Sequence, residues 1–187
     1  MAEEHIDNGG ERASRLPKLP LAFIGLAAYR AWIELAFVGS YFEGQGRLPA
    51  TRDVFDLSMM VVLLVGVVFA KRLSPLIEKP WARIMSLCLL LFSTACVLLG
   101  AAFPSCPSVL CAAGAIAGGA GIAIILILWS ELYGCLNPLR VALYYSASIV
   151  AAALIVYTMK GFMFPWFAVY LFVLPVVTIV SVGAAFR

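Results

Sequence analysis

Six stretches of roughly twenty mostly apolar residues, separated by short polar turns, constrain this chain more than any other feature. As a helix with a rise of about 1.5 Å per residue, each stretch can cross a hydrocarbon layer of ~30 Å. Backbone exposed to lipid must satisfy its hydrogen bonds internally, as a helix does. The sequence therefore predicts an all-α, polytopic membrane protein with six transmembrane helices. The predicted spans are Leu21–Phe42, Val54–Ala70, Ile84–Phe103, Ser108–Ser130, Leu139–Met159 and Trp166–Phe186.

The composition supports this class, and local signals mark several boundaries. Hydrophobic residues make up 64% of the 187 residues and charged residues 12%, against roughly 25% charged in soluble domains. Proline suits the first position of a helix, so Pro80 and the pair Asn137-Pro138 predict the starts of the third and fifth spans. Residues 1–20 are polar and predict a mobile cytoplasmic arm, which leaves 21–187 as one transmembrane domain.

Basic residues are distributed unequally between the two sides of the predicted membrane. Nine lie in the N-terminal arm, the second and fourth loops and the C-terminal tail, whereas three lie in the first, third and fifth loops. Positively charged loops stay in the cytoplasm, so both termini are predicted there. The net charge is only +3 and no basic face is clustered, which argues against a nucleic-acid partner.

Two charged residues lie inside the first predicted span. Arg30 is about 14 Å into the span by helical rise, and Glu34 lies one turn further. Such groups cost at least ~2.5–3.5 kcal/mol each in a membrane and rarely face lipid. Helical spacing places Phe37 and Tyr41 on the same stripe. Two interpretations stay open: an internal ion pair that locks the first span, or a binding face on which Arg30 anchors an anionic or amphipathic ligand.

The fourth predicted span is rich in small residues. Gly114, Gly118 and Gly121 are expected to allow close helix packing, because lipid tails provide no hydrophobic drive between helices. The fifth span carries a matching set of Ser and Ala residues and is the expected partner. Packing within one copy is favoured over a dimer interface. On the fifth span, Tyr144, Tyr145 and Tyr157 could line a cavity or serve as interfacial aromatics.

Sequence signals for enzyme chemistry do not occur. The five cysteines lack metal-ligand spacing, and no Walker, GxSxG, HExxH or Rossmann glycine pattern is present. We therefore expect no catalytic residues, no metal site, no cofactor and no enzyme activity.

The predicted architecture resembles one half of a major facilitator superfamily transporter. The stretch from Gly66 to Arg72 is similar to that family's loop motif between its second and third helices, with Ala70 in place of an aspartate. The stretch from Ala115 to Gly121 is similar to its fourth-helix glycine motif without the arginine, and the fifth-helix Gly-Pro motif is absent.

A second resemblance covers nearly the whole chain. The segments Leu26–Trp32, Thr51–Asp56, Trp129–Gly134 and Asn137–Tyr145 resemble the membrane part of bacterial LuxR-type helix-turn-helix regulators. This resemblance implies a sensor or ligand-binding module in the bacterial inner membrane, a truncated half that has no second six-span half and no DNA-binding domain. The alternative is a small-solute transporter that works as a homodimer of six-span halves.

Overall fold

All regular secondary structure in the described part of the chain is helical. The computed structural model describes residues 24–38, 48–73, 75–103 and 107–185. Within these ranges the all-α prediction is confirmed. The elements are α1 (Ile24–Ile33), a π-helical turn (Glu34–Val38), α2 (Leu48–Val68), α3 (Ala70–Leu73), a 3₁₀ turn (Leu76–Glu78), α4 (Pro80–Ala102), α5 (Ser108–Gly134), α6 (Pro138–Met159) and α7 (Phe164–Ala185).

Four of these helices are long and apolar enough to cross a membrane. They are α4, α5, α6 and α7, with 23, 27, 22 and 22 residues, and they indicate a membrane protein. The other two predicted spans differ for physical reasons. Helix α2 has 21 residues but carries Arg52, Asp53 and Asp56 near its start. Helix α1 has ten described residues and gives way to the π-helical turn after Ile33. Four candidate spans, rather than the six expected, are therefore found among the described residues.

The starts of α4 and α6 follow from the sequence. Helix α4 begins at Pro80, and α6 begins at Pro138 directly after Asn137. The Asn137 side chain accepts a hydrogen bond from the backbone nitrogen of Leu139 at 3.0 Å, which satisfies one amide hydrogen of the first turn. Both predicted starts are confirmed.

Helix α5 lies at the centre of the fold. It packs against α2 on one side and α4 on another, while α1 packs against α6 and α7, and α4 also contacts α7. The outer surface is largely apolar. On α2, for example, Val67 and Val68 expose about three quarters of their surface. Exposed apolar side chains on long helices suit contact with lipid tails.

The glycines of α5 allow close approach to α4 and α2. A Cβ added at Gly118 would lie 2.6 Å from Oγ of Ser93 on α4, and one at Gly121 would lie 3.0 Å from the Leu90 side chain. A Cβ at Gly114 would lie 2.5 Å from Cβ of Cys96. The prediction that the fifth span packs against these glycines was wrong. That span forms α6, which has its main packing contacts with α1. Small residues allow close packing but do not select the neighbour.

Candidate functional site

A cavity of about 700 Å³ lies between α1, α2, α5 and α6. Its volume is within the range of about 300–1,000 Å³ that is typical of small-molecule sites. Most of its wall is apolar and includes Ile33, Met59 and Ile149. The polar part of the wall comes from three charged residues and three tyrosines: Arg30, Glu34, Lys160, Tyr29, Tyr145 and Tyr157.

Arg30 is held at the cavity wall by Tyr145. Its Nη2 donates a 2.8 Å hydrogen bond to the Tyr145 hydroxyl, and its guanidinium carbon lies 4.6 Å from the centroid of the same ring. The two residues are 115 positions apart in sequence, so this contact joins α1 to α6. A hydrogen bond and a cation–π contact together fix the guanidinium without neutralising its charge.

Glu34 lines the same cavity but does not pair with Arg30. Its side chain is exposed, and the structure records no ion pair between these two residues although their spacing would allow one. Glu34 is also the first residue of the π-helical turn. Such turns are rare and are frequent at functional sites.

Phe37, which helical spacing places with Arg30 and Glu34, lies instead in the core. Its ring stacks on Phe55 with centroids 4.4 Å apart and meets the edge of Trp32 at 5.7 Å. The π-helical turn explains the difference, because its wider i→i+5 bonding rotates later residues away from the stripe of a regular α-helix. Tyr41, the fourth candidate, lies outside the described residues.

The three candidate packing glycines lie outside the cavity. Gly114, Gly118 and Gly121 are buried against α4, and none of them contributes to the cavity wall. Their role is to position α5, which contributes Leu126 to that wall.

Of the three charged wall residues, Lys160 is the one that the sequence pattern did not reveal, because it lies in a loop after the fifth predicted span. A signal was available in the spacing of α6. Tyr145, Ile149, Ala152, Val156 and Lys160 follow one another at intervals of three or four residues and line the cavity together. The tyrosines of the fifth predicted span differ in position. Tyr145 and Tyr157 line the cavity, whereas Tyr144 is buried.

A second cavity of about 540 Å³ adjoins the first. Tyr29, Leu126 and Tyr145 line both. The first cavity extends along α6 towards its C-terminal end at Lys160, and the second extends along α5 towards Glu131 and Tyr133 near the C-terminal end of that helix. Because α5 and α6 are consecutive helices joined by a short turn, these ends lie at opposite ends of the pair.

Glu131 in the second cavity has a structural role. Its Oε1 accepts a hydrogen bond from the backbone nitrogen of Leu76 at 2.8 Å, which ties the segment before α4 to the end of α5. Within the described ranges, no group of three or more His, Cys, Asp or Glu side chains could hold a metal ion.

No protein-family model, curated protein or solved structure matches this chain.

Proposed function

We propose that this chain is a non-enzymatic integral membrane protein that binds a small amphipathic anion and serves as a sensor or ligand-binding module. The observation that supports this proposal is the half-buried guanidinium of Arg30, fixed by Tyr145 at the wall of a largely apolar cavity. In this proposal the chain forms a six-helix bundle in the bacterial inner membrane, similar to one half of a major facilitator superfamily bundle or to the membrane part of a LuxR-type regulator.

The charges of the cavity favour an anion with an apolar body. Arg30 and Lys160 are positive and Glu34 is negative, so the wall carries one net positive charge. A guanidinium has five N–H donors, and the bond to Tyr145 uses one of them. The others can bind a carboxylate or phosphate, while Ile33, Met59 and Ile149 contact the apolar part.

The test compares three compounds with a ten-carbon chain and different head groups: decanoate, decanol and decyltrimethylammonium. The protein in lipid nanodiscs should be stabilised against thermal unfolding by decanoate more than by the other two, because a ligand that binds only the folded state raises its stability. Arg30→Gln should remove the difference. Arg52→Gln is the matched control, since Arg52 is exposed and lines neither cavity. Its Nε forms an exposed ion pair with Oδ2 of Asp56 at 3.9 Å.

Two outcomes would contradict the proposal. One is equal stabilisation by all three compounds in the unmodified protein, which would indicate general partitioning into lipid. The other is a preference for decanoate that Arg30→Gln leaves unchanged, which would place the anion elsewhere.

A second candidate function is transport of a small solute by a homodimer. The end-to-end placement of the two cavities, which meet at Tyr29, Leu126 and Tyr145, favours it. One six-helix half has no opposing repeat against which to alternate access, so this function needs a second copy. Native mass spectrometry distinguishes the two: a stable homodimer favours transport, and a monomer favours the sensor.

A further inference from the structure

A separate recess lies between the first turns of α4 and the last turns of α7. Its volume is about 440 Å³, and its walls are Pro80 and Ile84 on α4 with Ile179, Val180, Gly183 and Ala184 on α7. It shares no residue with the two cavities of the candidate site. Arg83 is its one charged wall residue among those that the structure describes.

The guanidinium of Arg83 is directed into this recess without a partner from the described residues. Its Nε is buried and has no hydrogen-bond partner, and no ion pair or hydrogen bond to its other nitrogens is recorded in residues 24–38, 48–73, 75–103 and 107–185. Gly183 brings the backbone of α7 close to the guanidinium, since a Cβ added there would lie 3.5 Å from Nη1. Among the described residues, therefore, none pairs with the guanidinium nitrogens of Arg83, which leaves the guanidinium free of a partner from that part of the chain on the wall of the recess.

The surroundings of Arg83 are those of a membrane interface. Ile84 and Val180 beside the recess are both more than 60% exposed, so they provide apolar surface next to the charge. Trp81, one turn before Ile84, is also exposed, and tryptophan is enriched where lipid tails meet head groups. Lys71 and Arg72, in α3, add exposed positive charge before the start of α4.

We propose that this recess binds the head group of an anionic phospholipid. Arg83 binds the phosphate, and Ile84 and Val180 contact the first methylenes of the acyl chains. Basic pockets between transmembrane helices at the cytoplasmic surface recognise lipids of this class. The apolar walls favour a lipid over free phosphate, because inorganic phosphate would lose hydration against Ile84, Ile179 and Val180 and gain no apolar contact.

The test measures lipid preference directly. The protein is placed in nanodiscs of phosphatidylcholine alone or of equal parts phosphatidylcholine and phosphatidylglycerol, and its thermal unfolding is followed. Phosphatidylglycerol should raise the unfolding temperature of the unmodified protein by several degrees and of Arg83→Gln by much less. Arg140→Gln is the control, because Arg140 is an exposed arginine in the first turn of α6 that does not line the recess. It should keep the full response.

Each other outcome overturns the proposal. If phosphatidylglycerol raised the unfolding temperature of Arg83→Gln as much as that of the control, the effect would come from the general charge of the lipid surface. A loss of stability in Arg83→Gln that is the same in both lipid mixtures would make Arg83 a structural residue that caps the end of α7. Stabilisation of the protein in phosphatidylcholine by inorganic phosphate, as large as that by phosphatidylglycerol, would assign the recess to a free anion.

A second variant keeps the test decisive if Arg83→Gln does not fold. Gly183→Leu adds a branched side chain to the recess from α7 beside the guanidinium and leaves residue 83 unsubstituted. Native mass spectrometry of this variant should find fewer phosphatidylglycerol molecules retained per protein than for the unmodified chain. Unchanged retention would contradict the proposal.

Discussion

Tyr145 is the residue on which the arrangement of the candidate site depends most. It contributes two separable contacts to Arg30, a hydrogen bond through its hydroxyl and a cation–π contact through its ring. Removing the hydroxyl should cost about 1 kcal/mol, and removing the ring should add the loss of the cation–π contact, about 0.5–1 kcal/mol at a partly exposed position. The two contributions can therefore be measured one at a time.

We predict that thermal stability falls in the order unmodified protein, Tyr145→Phe, Tyr145→Ala. Tyr157→Ala is the matched control, because Tyr157 lines the same cavity, is three quarters exposed and has no side-chain hydrogen bond to another described residue. Thermal unfolding in nanodiscs measures the order. If Tyr145→Ala is no more destabilising than Tyr157→Ala, the contact to Arg30 does not stabilise the fold.

At the scale of single helices, α5 is the element that fixes the positions of its neighbours. Gly118 faces Ser93 on α4, and the distal ring atom of Trp32 on α1 would lie only 3.2 Å from an added Cβ. Trp32 itself is fully buried and donates a hydrogen bond to Thr94 on α4 at 3.0 Å. A larger side chain at position 118 would therefore push on two helices that support the cavity wall.

We predict that Gly118→Leu lowers the stability by about 1–3 kcal/mol or more, the usual cost of overfilling a packed core. Gly134→Leu on the same helix should have little effect, because nothing lies within 4 Å of a Cβ added there. Thermal unfolding of both variants in the same lipid gives the comparison. Equal stability of the two would show that α5 does not need its glycine surface against α4.

At this scale, the features that could be predicted from the sequence are those determined by residues adjacent in the chain, such as helix starts. Asn137, Pro138 and Pro80 define helix starts through their own side chains and backbone, so their pattern is sufficient. The partner of α5 was missed because small residues on α4, α2 and α6 are equally compatible with a glycine-rich surface. The π-helical turn was missed for another reason: it has no local sequence signature, and its formation moved Phe37 from the predicted stripe into contact with Phe55.

At the scale of the whole molecule, the orientation in the membrane is the prediction with the widest consequences. It rests on the unequal distribution of basic residues, and it assigns the turn between α5 and α6 to the cytoplasm and the turn between α6 and α7 to the opposite side. Green fluorescent protein inserted after Leu136 should fluoresce, and alkaline phosphatase inserted after Gly161 should be active. Fluorescence at the second site with phosphatase activity at the first would reverse the orientation.

The Arg30–Tyr145 contact was beyond the reach of the sequence for a reason that also belongs to this scale. Its partners are 115 residues apart and come together only when α1 packs against α6. The depth of Arg30 in its span indicated that it needs a partner, and helical spacing suggested Glu34 as the nearest one. The identity of the partner depends on the arrangement of the helices, which no local pattern contains.

Tyr145 lies in the walls of both cavities, so under the proposed function it would couple ligand binding in one cavity to ligand binding in the other. A ligand that binds the remaining N–H groups of Arg30 in the first cavity and shifts its guanidinium would also shift the Tyr145 ring, and would so change the shape of the second cavity. Coupling of this kind is reciprocal. If the first ligand lowers the affinity of the second cavity for a compound, that compound lowers the affinity of the first cavity for the ligand by the same factor. Through one tyrosine, the occupancy of each cavity would thus change the ligand affinity of the other, with no movement of the helices required.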